Sequence, residues 1–466
     1  MEVALAYASK SELRDGSLSL ATNRRRAPVS FSGRCRQPVI MRRLLLALQG
    51  VIGGNFQWLT EAEWLATLDP VVTVHRDQVF FEAFSQDMSA YGWVSIPMAE
   101  FEVQGQVEYG TTNIDFTHQL GTALQRLRSS RHTVLTVGAG GVGVKTDGQG
   151  HFEKKVDLPD PWQRGFVQIQ SALGMAAWQT DVRPADLLSV MAWLREHRPP
   201  GPPHGLRFQF SPGEEVSLVA EPWEDHPFRL RGTRYDGVSR SIRVWGRKRL
   251  ALLSPILPYA DRVTVGLPGR SLPHWYVCHV GPYRFAVVLS GHTRANWSES
   301  FFDLLAPTEP TEADMAEAMR ARLQDRQVMT LEEAGPNAES ALLSLCRSGE
   351  AMRDPVDRTF RWRPLFDTPL LARAAGGDAR VEQALGLMAR ITTVDREARS
   401  PHGRVETHLL GEVDGEKVKL ALDAAGRLRF GQCTCEFFRN HFLADGPCVH
   451  MLAVRSSPRL QAPEQP

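Results

Sequence analysis

The chain has 466 residues, 42% of them apolar and 23% charged, with a formal net charge of +1. That length exceeds what one hydrophobic core supports, so two to four domains are expected, and the near-neutral charge excludes a global basic field that would draw in nucleic acid or anionic membrane. Six cysteines in so long a chain exclude a disulfide-stapled scaffold, while the crowding of three of them into residues 433–448 suits a metal in a reducing compartment.

Residues 1–23 show no pattern. Residues 24–38 (RRRAPVSFSGRCRQP) are basic around a short strand-like core, and Arg24, Arg25, Arg26, Arg34, Arg36, Arg42 and Arg43 make this the most positive part of the chain. Such a run is either a phosphate-binding patch or, more commonly, a solvated strand edge. Residues 44–53 (LLLALQGVIG) start too late for an export signal and are too short to span a bilayer. They read as a buried helix, which leaves the cytoplasm as the default compartment and no membrane partner.

Strand patterning follows over 70–102, then a helical section over 111–130 with Leu120, Leu124 and Leu127 on one face. HTVLTVGAGGVGVKT is strand-like and glycine-rich. Two helices are predicted from GFVQIQSALGMAAW and PADLLSVMAWLREH, the second opening on a proline, and PPGPPHG at 199–205 reads as a linker. Short alternating runs separated by glycine and proline turns over 206–298 predict a mostly antiparallel sheet. Helices over 315–325 and 338–347, followed by extended RTFRWRPLF, resemble a winged-helix unit, and a further helix is expected over 378–391. The fold class is therefore multidomain α+β. Its parts are a mixed region (1–198), a β-rich domain (206–308), a winged-helix-like segment (309–376) and a terminal module with its preceding helix (377–466).

That module carries the sharpest chemistry. Two strand-like runs, 406–413 and 416–423, meet at Asp414-Gly415, a favoured hairpin turn. A third run, RLRFGQ, leads to Cys433-Thr434-Cys435; after a twelve-residue loop come Cys448-Val449-His450 and an apolar helix beginning MLAVR. Side chains two apart share one side of an extended backbone, so each pair presents two donors together. Three thiolates and one imidazole suit tetrahedral zinc, and four protein ligands leave no open position, which makes the ion structural. His441, in the loop, reads as a surface or supporting residue.

Cys-x-Cys, a variable loop and Cys-x-His, preceded by strands and followed by a helix, resemble the SWIM zinc finger at all four ligand positions, with Phe437-Phe438 and Gly446-Pro447 also in keeping. That resemblance implies one structural Zn2+ held by Cys433, Cys435, Cys448 and His450. TTNIDF (111–116), FEKKVDLPDPWQRGFVQIQSA (152–172), RVWGRKRL (243–250) and FRWRPLF (360–366) resemble bacterial SWIM-containing proteins associated with MoxR-type AAA ATPases and von Willebrand factor A domain proteins. Such a resemblance implies those two protein partners and no reaction.

Other signals are weaker. Gly138 to Gly143 (GAGGVG) fits a dinucleotide fingerprint, but no helical periodicity follows to aim amides at a pyrophosphate, so a glycine-rich hairpin or loop is expected. In HWYVCHV, His274 and Cys278 share a strand face while His279 points away, so they do not converge on a metal. No catalytic signature stands out, and the chain reads as a non-enzyme. In the winged-helix-like segment, the helix NAESALLSLCRSG offers only Arg347 to bases, which favours protein contact over DNA. Arg353, Arg358, Arg361 and Arg363 lie on the wing; Arg361 and Arg363 are the candidate contacts to a nucleic acid or a partner. The resulting expectation is an adaptor, with DNA binding through the SWIM module and winged helix as the alternative.

Overall fold

Runs of alternating and continuous apolar residues between 71 and 289 build the largest element of the protein, a twelve-stranded sheet whose neighbours are all antiparallel. The computed structural model describes residues 12–14, 17–19, 29–56, 70–114, 118–138, 141–146, 149–154, 160–175, 177–199, 201–291, 296–298, 300, 302–305, 313–335, 337–366, 379–399, 406–423 and 426–457. In spatial order the sheet runs Arg240–Val244, Leu206–Phe210, Glu215–Ala220, Pro227–Arg234, Trp178–Val182, Arg262–Leu267, His274–Val280, Tyr283–Leu289, Ala90–Pro97, Gln78–Phe84, Val71–Val74 and Gly110–Asn113. Tyr283–Leu289 pairs directly with Ala90–Pro97, so strands from both sides of 199–205 share one sheet. The proline-rich stretch is a connection within that sheet and separates no two sheets.

The central strands are buried on both faces, which explains their nearly unbroken apolar sequence. On one face the helix Asp160–Gly174 sets Trp162 and Phe166 against Phe84, with ring centroids 5.2 and 5.0 Å away. On the other the helix Pro38–Ile52 presses Val51 onto Gly92, where a Cβ would lie 2.8 Å from a valine methyl. The run LLLALQGVIG is thus a buried helix, and among the described residues no helix is long and apolar enough to cross a membrane. The glycine-rich motif falls in an antiparallel hairpin in which Gly141 pairs with Gly138. This hairpin belongs to a five-stranded sheet of Gln149–Lys154, Gly141–Thr146, Thr133–Gly138, Ser30–Cys35 and Phe101–Val103.

After the large sheet come the helix Ala313–Arg326, strand Val328–Thr330, short helix Leu331–Ala334, helix Ala338–Arg347 and strands Ala351–Arg353 and Thr359–Trp362. This is the element order of a winged helix, and its three strands pair with Thr359–Trp362 in the middle. The unit closes its own core around Met319, Leu323, Met329, Leu342 and Phe360. Thr330 and Glu333 form a capping box at the start of Leu331–Ala334.

The terminal module is a four-stranded antiparallel sheet in the order Ile391–Arg399, Glu406–Val413, Glu416–Asp423, Leu428–Cys433. The helix expected to reach residue 391 ends as Ala379–Leu387 and one 3-10 turn; Ile391–Arg399 is a strand. Its sequence, ITTVDREAR, mixes β-branched and charged residues, and pairing with Glu406–Val413 decides the outcome. Asp414 and Gly415 both have positive φ, 51° and 81°, as the predicted two-residue turn requires.

Candidate metal centre

Each ligand of the terminal cluster sits where the backbone changes from one element to another. Cys433 ends the strand Leu428–Cys433, aligned by pairing with Val418. Just beyond it, Thr434 N donates to Lys417 O at 3.1 Å, and Lys417 N donates to Thr434 Oγ1 at 3.0 Å. Cys435 is the N-cap of the helix Glu436–His441, in extended conformation (φ −65°, ψ 157°), and its Sγ accepts the Phe438 N–H at 3.4 Å. Cys448 occupies the corresponding position before Val449–Arg455 (φ −75°, ψ 165°), and His450 lies in that helix's first turn. A β-conformation at an N-cap turns the side chain back over the helix start, so both helices point a sulfur at the same space.

The four donor atoms all lie within 4.8 Å of one another. Cys433 Sγ and His450 Nδ1 are 3.9 Å apart. A tetrahedron with Zn–S near 2.3 Å and Zn–N near 2.0–2.1 Å has edges of about 3.6–3.8 Å, so the donors need only a slight contraction to share one ion. Three sulfurs and an imidazole are soft ligands, which select zinc over magnesium or calcium. The three cysteines are buried and His450 is half-buried. This donor set fits a closed zinc site. A bound ion would be held by these four residues and supply the cross-link that the loop otherwise lacks.

Three thiols this close cannot ionise independently. A hydrogen bond from the Cys448 thiol pulls Cys433 down to about 6, against the opposing effect of burial. The same hydrogen bond, then burial and the Cys433 charge, pushes Cys448 far up, and burial raises Cys435. A divalent ion removes that conflict by neutralising all three sulfurs together.

The surroundings fix the two halves of the site. Arg380 Nη1 donates to Asp445 O at 2.7 Å, and its guanidinium lies 5.0 Å from the Phe437 ring centre. Arg270, from the large sheet's side, stands 4.5 Å over Phe442. Arg455, at the end of the last helix, reaches Leu304 O and Gly426 O at 3.1 and 2.8 Å. Gly411 lets this helix lie on the sheet, because a Cβ there would come within 2.7 Å of Val454. His441 stacks on Phe437 at 4.7 Å and contacts Asp445 at 2.5 Å, outside the ligand group.

The wing arginines require a correction. Arg361 and Arg363 are 4% and 0% exposed and face inward. Arg361 makes hydrogen bonds of 2.7–3.3 Å to Asp77; Arg363 makes two of 2.6 and 2.8 Å to Glu82, which also accepts the Tyr91 hydroxyl. Burial would depress Arg361, but the Asp77 hydrogen bonds and charge outweigh it and raise its pKa. Arg353 is also buried, donating to Gly174 O at 2.9 Å, and the wing residue Arg358 is exposed. The helix Ala338–Arg347 is covered too, packing on Asp160–Gly174 and Ala313–Arg326. Arg361 and Arg363 are thus engaged by carboxylates within the chain, and the apolar face of Ala338–Arg347 is covered. The acidic partners lie some 280 residues upstream, which is why the sequence reading missed them; Glu82 alone within QVFFEAF was the available signal. Beside this junction a polar cleft of about 320 Å³ holds Arg262, His279 and Arg284, with Arg262 engaged by Asp181 and Arg284 by Asp354 and Asp357.

No family model matches the chain, and no curated protein does. Among solved structures the chain is similar to the proliferating cellular nuclear antigen from Entamoeba histolytica, at 13% identity and TM-score 0.39, over 56% of this chain and 98% of that one. The protein of that name from Thermococcus kodakaraensis gives 14% identity, TM-score 0.39 and coverages of 56% and 98%. That from A. fulgidus, in a structure bound to the C-terminal region of FEN-1, gives 13%, 0.39, 56% and 97%. Similarity at this level is too weak to define a fold.

Proposed function

We propose that this chain is a non-catalytic interaction component whose C-terminal SWIM-type module is folded around one structural zinc ion. The observation that carries the reading is the convergence of Cys433, Cys435, Cys448 and His450 to within 4.8 Å, in the order and spacing of that module. Four protein ligands exclude substrate from the ion, so the metal serves shape. The sheet before it and the helix after it support the same reading.

The finer part of the proposal is that its partners are a MoxR-type AAA ATPase and a von Willebrand factor A domain protein. It rests on the resemblance of 111–116, 152–172, 243–250 and 360–366 to bacterial SWIM proteins associated with those two classes. Compartment follows from the same reading: none of the six cysteines forms a disulfide, which suits a reducing cytoplasm. DNA binding through the winged helix is not favoured, since its recognition helix and its wing are both engaged within the chain.

Metal analysis of the purified full-length protein tests the first part: one zinc per chain is expected, and none in Cys448→Ser. A pull-down from the native organism with both proteins tests the second. Recovery of an AAA ATPase and a von Willebrand factor A protein by the wild type supports the partnership. Their absence from it, with zinc bound, overturns the partnership and leaves the metal assignment standing.

A further inference from the structure

The basic segment near the N-terminus divides in two once it is folded. Residues 29–56 contain four arginines, residues 118–138 contain three, and neither stretch contains an aspartate or glutamate. The helices Pro38–Ile52 and His118–Gln125 pack together and bring these stretches side by side. Arg34 and Arg36 lean back to Glu102, at 3.5 and 3.8 Å. Arg42, Arg43, Arg126 and Arg128 meet no carboxylate among the described residues.

Two of these four are forced together. Arg42 Nη1 and Arg128 Nη1 both donate to Leu127 O, at 2.8 and 3.0 Å, and Arg128 Nη1 also reaches Gln125 O at 2.5 Å. Two guanidinium groups thus share one carbonyl with no counter-charge among the described residues. Burial, then the charges of Arg128 and Arg43, press the Arg42 pKa downward. Beside them the Arg43 guanidinium lies 4.0 Å from the ring centre of Tyr259, which is 40% exposed. Arg126 and Arg128 are exposed on the turn after the second helix.

Several exposed arginines elsewhere in the fold are neutralised: Arg229 by Glu215, Arg231 by Asp186, Arg262 by Asp181, Arg390 by Asp414. Like charges held together without a carboxylate cost electrostatic energy that a bound anion removes. Arginine forks, already oriented on one side by backbone carbonyls, match the geometry of phosphate oxygens. The partly exposed Tyr259 lies next to them with the Arg43 guanidinium over its ring.

We propose that Arg42, Arg43 and Arg128, with Arg126 at the margin, form a phosphate-binding surface for the sugar–phosphate backbone of a nucleic acid. Among the described residues Tyr259 is the one exposed large apolar side chain in contact with these arginines, which favours this over an anionic bilayer, where several such side chains would enter the membrane. The surface lies on the N-terminal helices and does not depend on the zinc reading or on the winged helix.

The test uses the full-length, zinc-loaded protein and a fluorescein-labelled oligonucleotide of about twenty nucleotides, single-stranded and as a duplex, followed by anisotropy as salt is raised. Wild-type protein is expected to bind at least one of the two, more weakly at higher salt. The double variant Arg42→Gln/Arg128→Gln is expected to bind at least about fivefold more weakly, with a salt slope smaller by about 1.5 to 2. Arg34→Gln, which removes a neutralised arginine, is expected to change neither value. Arg42→Lys/Arg128→Lys keeps the charge and is expected to restore most of the binding, which separates lost charge from lost folding. No binding by the wild type, or equal binding by wild type and the Gln variant, overturns the proposal. So does arginine-dependent capture by phosphatidylserine vesicles with no capture of either oligonucleotide.

Discussion

The helical unit at 313–366 and the terminal module with the Cys/His cluster at 379–457 are both small and both docked on one large body, yet they are held by different chemistry. The first surrounds a core of its own, in which Leu323, Met329, Leu342 and Phe360 are fully buried. It then anchors its wing through arginine–carboxylate pairs at 0–4% arginine exposure. The second spreads four strands beneath one seven-residue helix, so only one face of its sheet is covered, and Leu410 and Phe430 on the other are 38% and 51% exposed. A layer that thin has little core of its own, and a metal held by the four clustered residues would add a cross-link to it. Distance in sequence differs as well. The module's ligands lie within 18 residues, whereas the wing's partners come from another part of the chain.

The largest effect expected from this contrast is loss of the metal. Zinc binding contributes about 10–16 kcal/mol in small zinc peptides, so Cys448→Ser should unfold the module while the winged-helix unit keeps its core. Hydrogen exchange resolved by segment checks this: amides of 406–457 should lose protection and those of 338–362 should retain it. The bridge from Arg427 to Glu339 joins the two units. Simultaneous loss of protection in both would show that this bridge makes them one cooperative unit, and the comparison would break.

The same contrast explains what could be read in advance. Cys433, Cys435, Cys448 and His450 were legible because metal geometry imposes short, fixed spacing, and the 406–413 and 416–423 hairpin because Asp414-Gly415 specifies its turn locally. The helix 338–347 was legible from its apolar periodicity. The burial of Arg361 and Arg363 was not, because a charged residue announces neither its partner nor its depth. The sharing of one sheet by Ala90–Pro97 and Tyr283–Leu289 was hidden for a similar reason: nearly two hundred residues separate strands whose apolar patterns alone do not choose a neighbour. Ile391–Arg399 became a strand only because Glu406–Val413 was there to pair with it.

Acid should act on the large body as well as on the metal ligands. Burial pushes His75 and His274 down to about 3. In the unfolded chain their pKa returns to about 6.5, so the unfolded state takes up protons first as pH falls. Stability is therefore fully present above pH ~6.5 and is lost between there and about 3, by on the order of 4–5 kcal/mol per histidine at the limit. Thermal melts of His75→Gln and His274→Gln against wild type should show a shallower decline below pH ~6. An unchanged slope would place the acid sensitivity in the zinc module alone.

Breaking one wing anchor is expected to cost somewhat less. Arg363→Met leaves Glu82 buried without its cation, a loss of about 3–5 kcal/mol. Among the described residues Arg363 Nε and Nη2 find no hydrogen-bond partner, so the pair itself is imperfectly compensated. Adding Glu82→Gln removes the stranded charge and preserves an acceptor for the Tyr91 hydroxyl. The double variant should recover more than half of the lost stability in urea unfolding. If it does not, the ion pair itself holds the wing, and the apolar core of the unit contributes less than the comparison assigns to it.

The smallest effect concerns the unit's own local order. Thr330 accepts the Glu333 N–H at 3.1 Å, and Glu333 accepts the Thr330 N–H at 2.7 Å. Thr330→Ala removes one half of this exchange and should cost about 1 kcal/mol, the usual magnitude for a helix cap. That loss should appear as faster exchange of amides in 331–334 and the adjoining strand, with zinc content unchanged. Because a four-residue helix has little else to hold its first turn, the cap matters more here than in Ala338–Arg347, whose buried face (Ala338, Ala341, Leu342, Leu345 and Cys346) holds it to the rest of the fold. A fall in zinc occupancy on this substitution would mean that order in the winged-helix unit reaches the metal, most directly through Glu339 and Arg427. The two units would then differ in chemistry but not in fate.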